Sequence, residues 1–166
     1  EQIQRWMKRD PDPETRKELA DLVALGDTAE LARRFRGRLE FGTAGLRGTL
    51  GAGPMCMNRL VVRETSAGLG HYLRAQLEDA DKRGVVIGYD GRRGSSAFAE
   101  DAAVVLAALG IKAHLFDRMV PTPVVAFAVR NLGAAAGIVI TASHNPPAYN
   151  GYKVYWDNGA QIIPPH

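Results

Sequence analysis

The sequence predicts an α/β fold: a three-layer α/β/α domain around a mostly parallel mixed sheet of about four strands, with a helical extension over residues 1–38 and the domain proper over 39–166. Two observations carry this. Short apolar runs at Val85–Tyr89, Ile111–Phe116 and Ala136–Thr141 alternate with longer segments of helical periodicity, which is the rhythm of βαβ units whose strands are buried on both faces. Before them, the first forty residues carry helix start and stop signals in three successive pieces.

Bulk composition supports a globular chain. With 166 residues, 46% hydrophobic and 23% charged, it can bury a core of its own. The net charge is only +3, and the densest basic cluster (Arg33, Arg34, Arg36, Arg38) ends a helical segment rather than alternating with aromatics, so nucleic acid is not an expected partner. Cys56 is the single cysteine, which excludes a disulfide framework and Cys/His metal spacing. No apolar run approaches the ~20 residues of a membrane helix, and the charged start from Glu1 to Pro13 does not resemble a signal peptide. The expectation is a soluble, cytoplasmic protein with no membrane partner.

The elements follow in order. Helical pieces fall at Ile3–Lys8, Pro13–Leu25 and Thr28–Phe35. Asp12 caps the second ahead of Pro13, Gly26 closes it, and Asp27 with Glu30 forms a capping-box pattern for the third. Leu39–Gly48 reads as an extended segment running into a glycine-rich loop that carries Arg47. Such a loop can offer N–H groups and a guanidinium fork to phosphate oxygens, although taken alone it reads as an ordinary turn. Asn58 caps a long helix from Arg59 to about Leu77. After the strand Val85–Tyr89, Ser95 or Ser96 caps a helix through Leu109. After the strand Ile111–Phe116, Pro121 opens a helix to about Leu132. The strand Ala136–Thr141 follows. Tyr152–Trp156 and Ala160–Ile163 flank Asp157-Asn158-Gly159, a hairpin signal.

In parallel sheets, ligands sit beyond the carboxyl ends of the strands. Three loops lie there: Asp90–Ser96, Asp117–Pro121 and Ala142–Gly151. Asp90, Arg92 and Ser95 lack Walker spacing, so a structural or domain-contact role is expected of them. The last loop holds Ser143-His144-Asn145-Pro146-Pro147 directly after a buried strand. The prolines are expected to keep the chain extended and so present Ser143 at the sheet rim. Adjacent side chains on an extended backbone point apart, which argues against a Ser-His hydrolase pair, and the Gly-x-Ser-x-Gly elbow is absent. Asn150-Gly151 reads as a tight turn that returns Lys153 beside the serine. A phosphoryl group on Ser143 would be well matched by Arg47, Lys153, backbone N–H groups and a divalent metal.

Thr141-Ala142-Ser143-His144-Asn145-Pro146 resembles the phosphoserine loop of the α-D-phosphohexomutases. Phe41-Gly42-Thr43-Ala44-Gly45-Leu46-Arg47-Gly48 and the stretch from Asn150 to Ile162 are similar to the phosphoglucomutase, phosphomannomutase and phosphopentomutase branch, and Trp6 extends the likeness towards the start of the chain. The resemblance implies an intramolecular phosphotransferase that interconverts sugar 1-phosphate and 6-phosphate through a phosphoserine at Ser143 and a bisphosphorylated sugar. It implies that Lys153 and Arg47 serve acid/base and electrostatic roles, that His144 assists positioning, and that Thr43 lines the substrate. The implied cofactors are Mg²⁺, held by the Ser143 phosphate and by aspartates of a second domain, and an activator like glucose 1,6-bisphosphate. The metal loop and domains II–IV are missing from the sequence, so the isolated piece is expected to be inactive and to bind none of these. The alternative is a non-catalytic binding or scaffolding module.

Overall fold

The computed structural model describes residues 1–163, and Pro164, Pro165 and His166 lie outside the described residues. Its elements are α1 (Gln2–Arg9), α2 (Pro13–Ala24), α3 (Thr28–Phe35), β1 (Leu46–Thr49), α4 (Arg59–Gln76), α5 (Ala80–Arg83), β2 (Val85–Tyr89), α6 (Ser95–Ala108), β3 (Ala113–Leu115), α7 (Thr122–Leu132), β4 (Ala136–Ile140) and β5 (Tyr149–Trp156). The sheet has the order β1-β5-β4-β2-β3. β2 pairs in parallel with β3 and β4, whereas β5 runs antiparallel to both β4 and β1. The predicted class therefore holds, with five strands instead of about four and with pairings divided evenly between parallel and antiparallel.

Helices cover both faces of the sheet. On one side α4 and α6 pack over a cluster that includes Val62, Leu73, Leu106, Ile87 and Ile138. On the other side α7 places Val125 and Val129 against Val86, Val139 and Tyr155. The approach of α7 is close: a β-carbon on Gly88 would lie 2.4 Å from Val125 Cγ2, so a side chain there would force the helix off the sheet. Trp6 and Leu19 belong to the same cluster as the α4/α6 side of the sheet, so α1 and α2 share the main core. Trp6 also meets Phe35 edge-on at 6.0 Å between ring centroids, a favourable aromatic geometry.

The caps are largely as expected. The Asp12, Asp27 and Asn58 carboxylate or amide oxygens accept from the backbone N–H of Glu14, Glu30 and Val61, each satisfying an otherwise orphaned donor. The capping box at Asp27 is only half made, because the Glu30 carboxylate turns to Arg33 and Arg34 instead. The basic cluster is largely neutralised in this way: Arg34 also pairs with Glu18, and Arg38 pairs with Glu64.

Several predicted boundaries are corrected. Neither Ser95 nor Ser96 caps α6. Gly94 occupies the cap with no side-chain bond, and Ser95 lies inside the helix with its hydroxyl donating to Asp90. The strand predicted at Ile111–Phe116 shrinks to Ala113–Leu115. The end of the glycine-rich loop is itself β1. At Asp157-Asn158-Gly159 the turn forms, with Gly159 at φ 77°, but Ala160–Ile163 returns only through a single bridge, Tyr155 to Gln161. Among the described residues, no helix is long and apolar enough to cross a membrane.

Candidate active site

β4 is buried along its whole length, and the chain leaves it through the buried Thr141 and Ala142 before emerging at the exposed Ser143. The segment is not extended there as the prolines suggested. Asn145 N–H donates to Ala142 O at 3.1 Å, closing a tight turn, and Ser143 sits at φ 56°. It is the one non-glycine with positive φ among the described residues. Left-handed backbone costs an L-residue about 1–2 kcal/mol and persists where surrounding contacts enforce it, often at functional sites. Here the Ser143 N–H is held by Thr141 Oγ1 at 3.0 Å.

Arg47 reaches this turn from the antiparallel half of the sheet, and Lys153 lies near Arg47 on the neighbouring strand. Arg47 on β1 pairs with Gly151 on β5, and Lys153 lies two residues further along β5, opposite Val139. The period of two therefore places Arg47, Gly151 and Lys153 on one face. Asn150-Gly151 is consequently strand and not the predicted turn: β5 already starts at Tyr149, and the pair lies in register with Gly48 and Arg47 of β1. Arg47 Nη2 lies 3.5 Å from Ser143 Oγ and Nη1 lies 3.4 Å from Asn145 Oδ1, long contacts that leave the fork weakly engaged. Its Nε is buried with no hydrogen-bond partner among the described residues. Burial pushes the Lys153 ammonium below its ordinary range, and the Arg47 charge adds to the drop. Both causes disfavour a second positive charge beside the first.

The β2–α6 loop completes the arrangement. Arg92 donates to the carbonyls of Ser143 (2.7 Å), Asn145 (2.8 Å), Pro146 (3.0 Å) and Tyr149 (3.1 Å). Asp90 lies behind it, with Oδ2 at 3.3 Å from Arg92 Nε. Asp90 Oδ1 accepts from Ser95 Oγ and from Arg92 N–H. The structural role expected for these three residues thus has a specific object, the serine turn. Sequence reasoning missed it, and the available signal was that both loops leave the carboxyl ends of neighbouring parallel strands.

The remaining predicted residues lie at the margin. Thr43 is exposed at the tip of a turn closed by Gly42 and Gly45, and its carbonyl accepts from Gln161 Nε2 at 2.8 Å. His144 is exposed beside Ser143. Among the described residues, neither is hydrogen-bonded to Ser143, Arg47 or Lys153. No three His, Cys, Asp or Glu side chains among the described residues converge as a metal site. What the chain brings to the rim is a hydroxyl with the Arg47 guanidinium beside it and Lys153 near Arg47, an arrangement suited to an anionic group on the serine.

Comparison with known proteins identifies the family of the chain. Residues 38–166 match the family described as phosphoglucomutase/phosphomannomutase, alpha/beta/alpha domain I. A protein named as a probable phosphoribomutase from Schizosaccharomyces pombe is 50% identical over 166 residues, covering 100% of this chain and 28% of its own length. The phosphopentomutase of Mus musculus is 48% identical, with 97% and 27% covered, and the glucose 1,6-bisphosphate synthase of the same organism is 44% identical, with 99% and 27% covered. A crystal structure described as a phosphomannomutase from Thermus thermophilus superposes with a TM-score of 0.69 at 35% identity, covering 77% of this chain and 28% of that one. The chain therefore spans little more than a quarter of the length of these relatives. It belongs to the phosphoglucomutase/phosphomannomutase family, of which it forms the α/β/α domain I.

Proposed function

We propose that this chain is the serine-bearing domain of a phosphosugar mutase, an isomerase acting by intramolecular phosphotransfer. The observation that carries the reading is Ser143, held exposed in a left-handed turn with the incompletely engaged Arg47 guanidinium beside its hydroxyl. In this reading Ser143 carries the phosphoryl group. A sugar hydroxyl attacks phosphorus, the P–O bond to Ser143 breaks, and the hydroxyl proton passes to the unprotonated form of Lys153, the form that burial favours. Arg47 stabilises charge on the transferring group and on the departing serine oxygen. The bisphosphorylated sugar then reorients, its other phosphoryl group returns to Ser143 Oγ, and Lys153 gives back the proton. His144 assists positioning and Thr43 lines the sugar.

The substrate is a sugar 1-phosphate or its isomer phosphorylated at the terminal carbon, and a bisphosphate such as glucose 1,6-bisphosphate primes the serine. From this chain, only an oxygen of the Ser143 phosphate would reach Mg²⁺, which would neutralise charge on the phosphoryl group. The remaining metal ligands, the sugar-selecting contacts and the distal phosphate site belong to domains II–IV of the parent protein, which residues 1–38 precede as a helical extension to domain I. The same reading puts the enzyme in the cytoplasm, with neither membrane nor nucleic acid as a partner.

The test uses the full-length parent. Incubation with glucose 1,6-bisphosphate should add about 80 Da, one phosphoryl group, on Ser143, and Ser143→Ala should abolish both the adduct and the mutase turnover. Full turnover by the alanine variant would sink the proposal and favour a binding or scaffolding module.

A further inference from the structure

The phosphoserine reading concerns the groups around Ser143 Oγ. What holds Ser143 in its unusual backbone conformation is a separate matter: Thr141 Oγ1 holds its N–H, and a second side chain, Arg92, holds its carbonyl. We infer that Arg92 is the positioning residue for Ser143: it gathers the carbonyl of Ser143 and those of the residues that follow it, and holds the hydroxyl towards Arg47. This inference rests on the phosphoserine reading and adds to it a residue whose donors face backbone carbonyls and Asp90.

A guanidinium has five N–H donors. Those of Arg92 have five acceptors: Nη2 on Ser143 O and Asn145 O, Nη1 on Pro146 O and Tyr149 O, and Nε facing Asp90 Oδ2 at 3.3 Å. Nothing is left over for a phosphate oxygen. Arg47 is in the opposite condition, with Nε unpartnered among the described residues and both terminal nitrogens at the limit of hydrogen-bonding distance. One arginine is wholly engaged with the backbone and the other is available to an anion.

The anchor of Arg92 reaches into the core. Asp90 is fixed by the hydroxyl of the fully buried Ser95 at 2.7 Å, and that hydroxyl accepts from Nδ2 of the fully buried Asn150 at 3.0 Å. Asn150 lies on β5 beside Gly151, which faces Arg47. The clamp on the serine turn and the strand that aligns Arg47 are therefore built on the same buried network. A lysine at 92 would supply charge without the planar fork, and so could not hold the Ser143 carbonyl together with those of Asn145, Pro146 and Tyr149.

The experiment compares wild type, Arg92→Ala, Arg92→Lys and Asp90→Asn in the full-length parent. Steady-state kcat and KM are measured with glucose 1-phosphate in the presence of glucose 1,6-bisphosphate. Melting temperature is recorded for each variant. A displaced nucleophile predicts a kcat fall of about 10²-fold for Arg92→Ala, the scale of a 1 Å misplacement, with KM changed by less than about twofold because substrate contacts remain. Arg92→Lys should recover little of the loss, Asp90→Asn should show a smaller loss of the same kind, and added guanidinium ion should partly restore kcat in Arg92→Ala. A raised KM at unchanged kcat would make Arg92 a substrate contact and overturn the inference. Wild-type kcat in Arg92→Lys would overturn it as well, and this variant decides the matter if Arg92→Ala does not fold. The phosphoserine reading fails separately, through a wild-type protein that never gains the phosphoryl adduct and a Ser143→Ala variant that still turns over.

Discussion

Gly151 lies directly across the β1–β5 ladder from Arg47, and a β-carbon on it would come within 3.2 Å of Arg47 Cγ, 2.6 Å of Leu46 O and 2.7 Å of Thr141 O. The two carbonyls are ladder backbone and cannot step aside. Gly151→Ala should therefore destabilise the chain by about 1–3 kcal/mol, the range for overpacking, and displace Arg47 from Ser143. Thermal unfolding reads the first effect, and loss of phosphoserine formation in the full-length parent reads the second.

Ser143 shows the reverse trade. Glycine adopts positive φ without the β-carbon penalty, and the serine side chain is exposed. Ser143→Gly should raise stability by up to about 1 kcal/mol while abolishing phosphoryl transfer. A denaturation midpoint below that of wild type would refute the assignment of strain at this position.

Lys153 should titrate below an ordinary lysine, chiefly through burial and secondarily through Arg47. Arg47→Gln removes the secondary cause, so the Lys153 midpoint should move upward while staying depressed. The stability linkage has a definite sign: a folded-state value below the unfolded one means that the unfolded chain binds more protons between them, so this group makes stability rise with pH across that interval. Carbon-detected NMR of the lysine side chain measures the midpoint, and a downward move in Arg47→Gln would contradict the assigned cause.

Glu30 offers a second titration. Hydrogen bonds from Arg33 and then Arg34 hold its carboxyl at about 2. A depressed carboxylate contributes stability above its unfolded value, about 4.3, and loses that contribution as pH falls towards 2. Glu30→Gln should lower the melting temperature at neutral pH and show a smaller difference from wild type at pH 3.

Asp101 on α6 is almost fully buried and receives Arg59 and Arg63 from α4. Both arginines keep about a third of their side-chain surface in solvent (32% and 37%), so they can rehydrate when the carboxylate is removed. Asp101→Ala should cost about 2–3 kcal/mol, below the full penalty of a stranded buried pair, as measured by chemical denaturation.

The alternation of short apolar strands with capped helices revealed the class of fold, because burial on both sheet faces writes itself directly into the chain. The approach of Arg47 to Ser143 was legible because each lies on or directly after a short, recognisable segment. Arg92 was not, since its partners are backbone carbonyls more than fifty positions away, and a carbonyl has no residue identity to read. Asn150-Gly151 was misread for a related reason. The pair carries strong turn preferences, yet Asn150 is fully buried and bonded to Ser95 and to the Arg93 carbonyl, contacts that outweigh local propensity. The left-handed Ser143 likewise depends on enforcement from elsewhere in the fold, and no propensity for serine announces it.

The insertion of β5 between β4 and β1 has a consequence for the order in which the chain acquires its parts. β1 has β5 as its ladder partner, so Arg47 has no strand to lie on until residues 149–156 have left the ribosome, and Ser143 itself lies 96 positions beyond Arg47. Loop closure over such a separation is slow relative to local helix formation. A nascent chain halted after residue 145 should have protected α4 and α6 while a protease still cuts around Arg47. The approach of Arg47 to Ser143 is thus among the last events in the assembly of this domain, and the growing polypeptide lacks that part of the rim until β5 is in place.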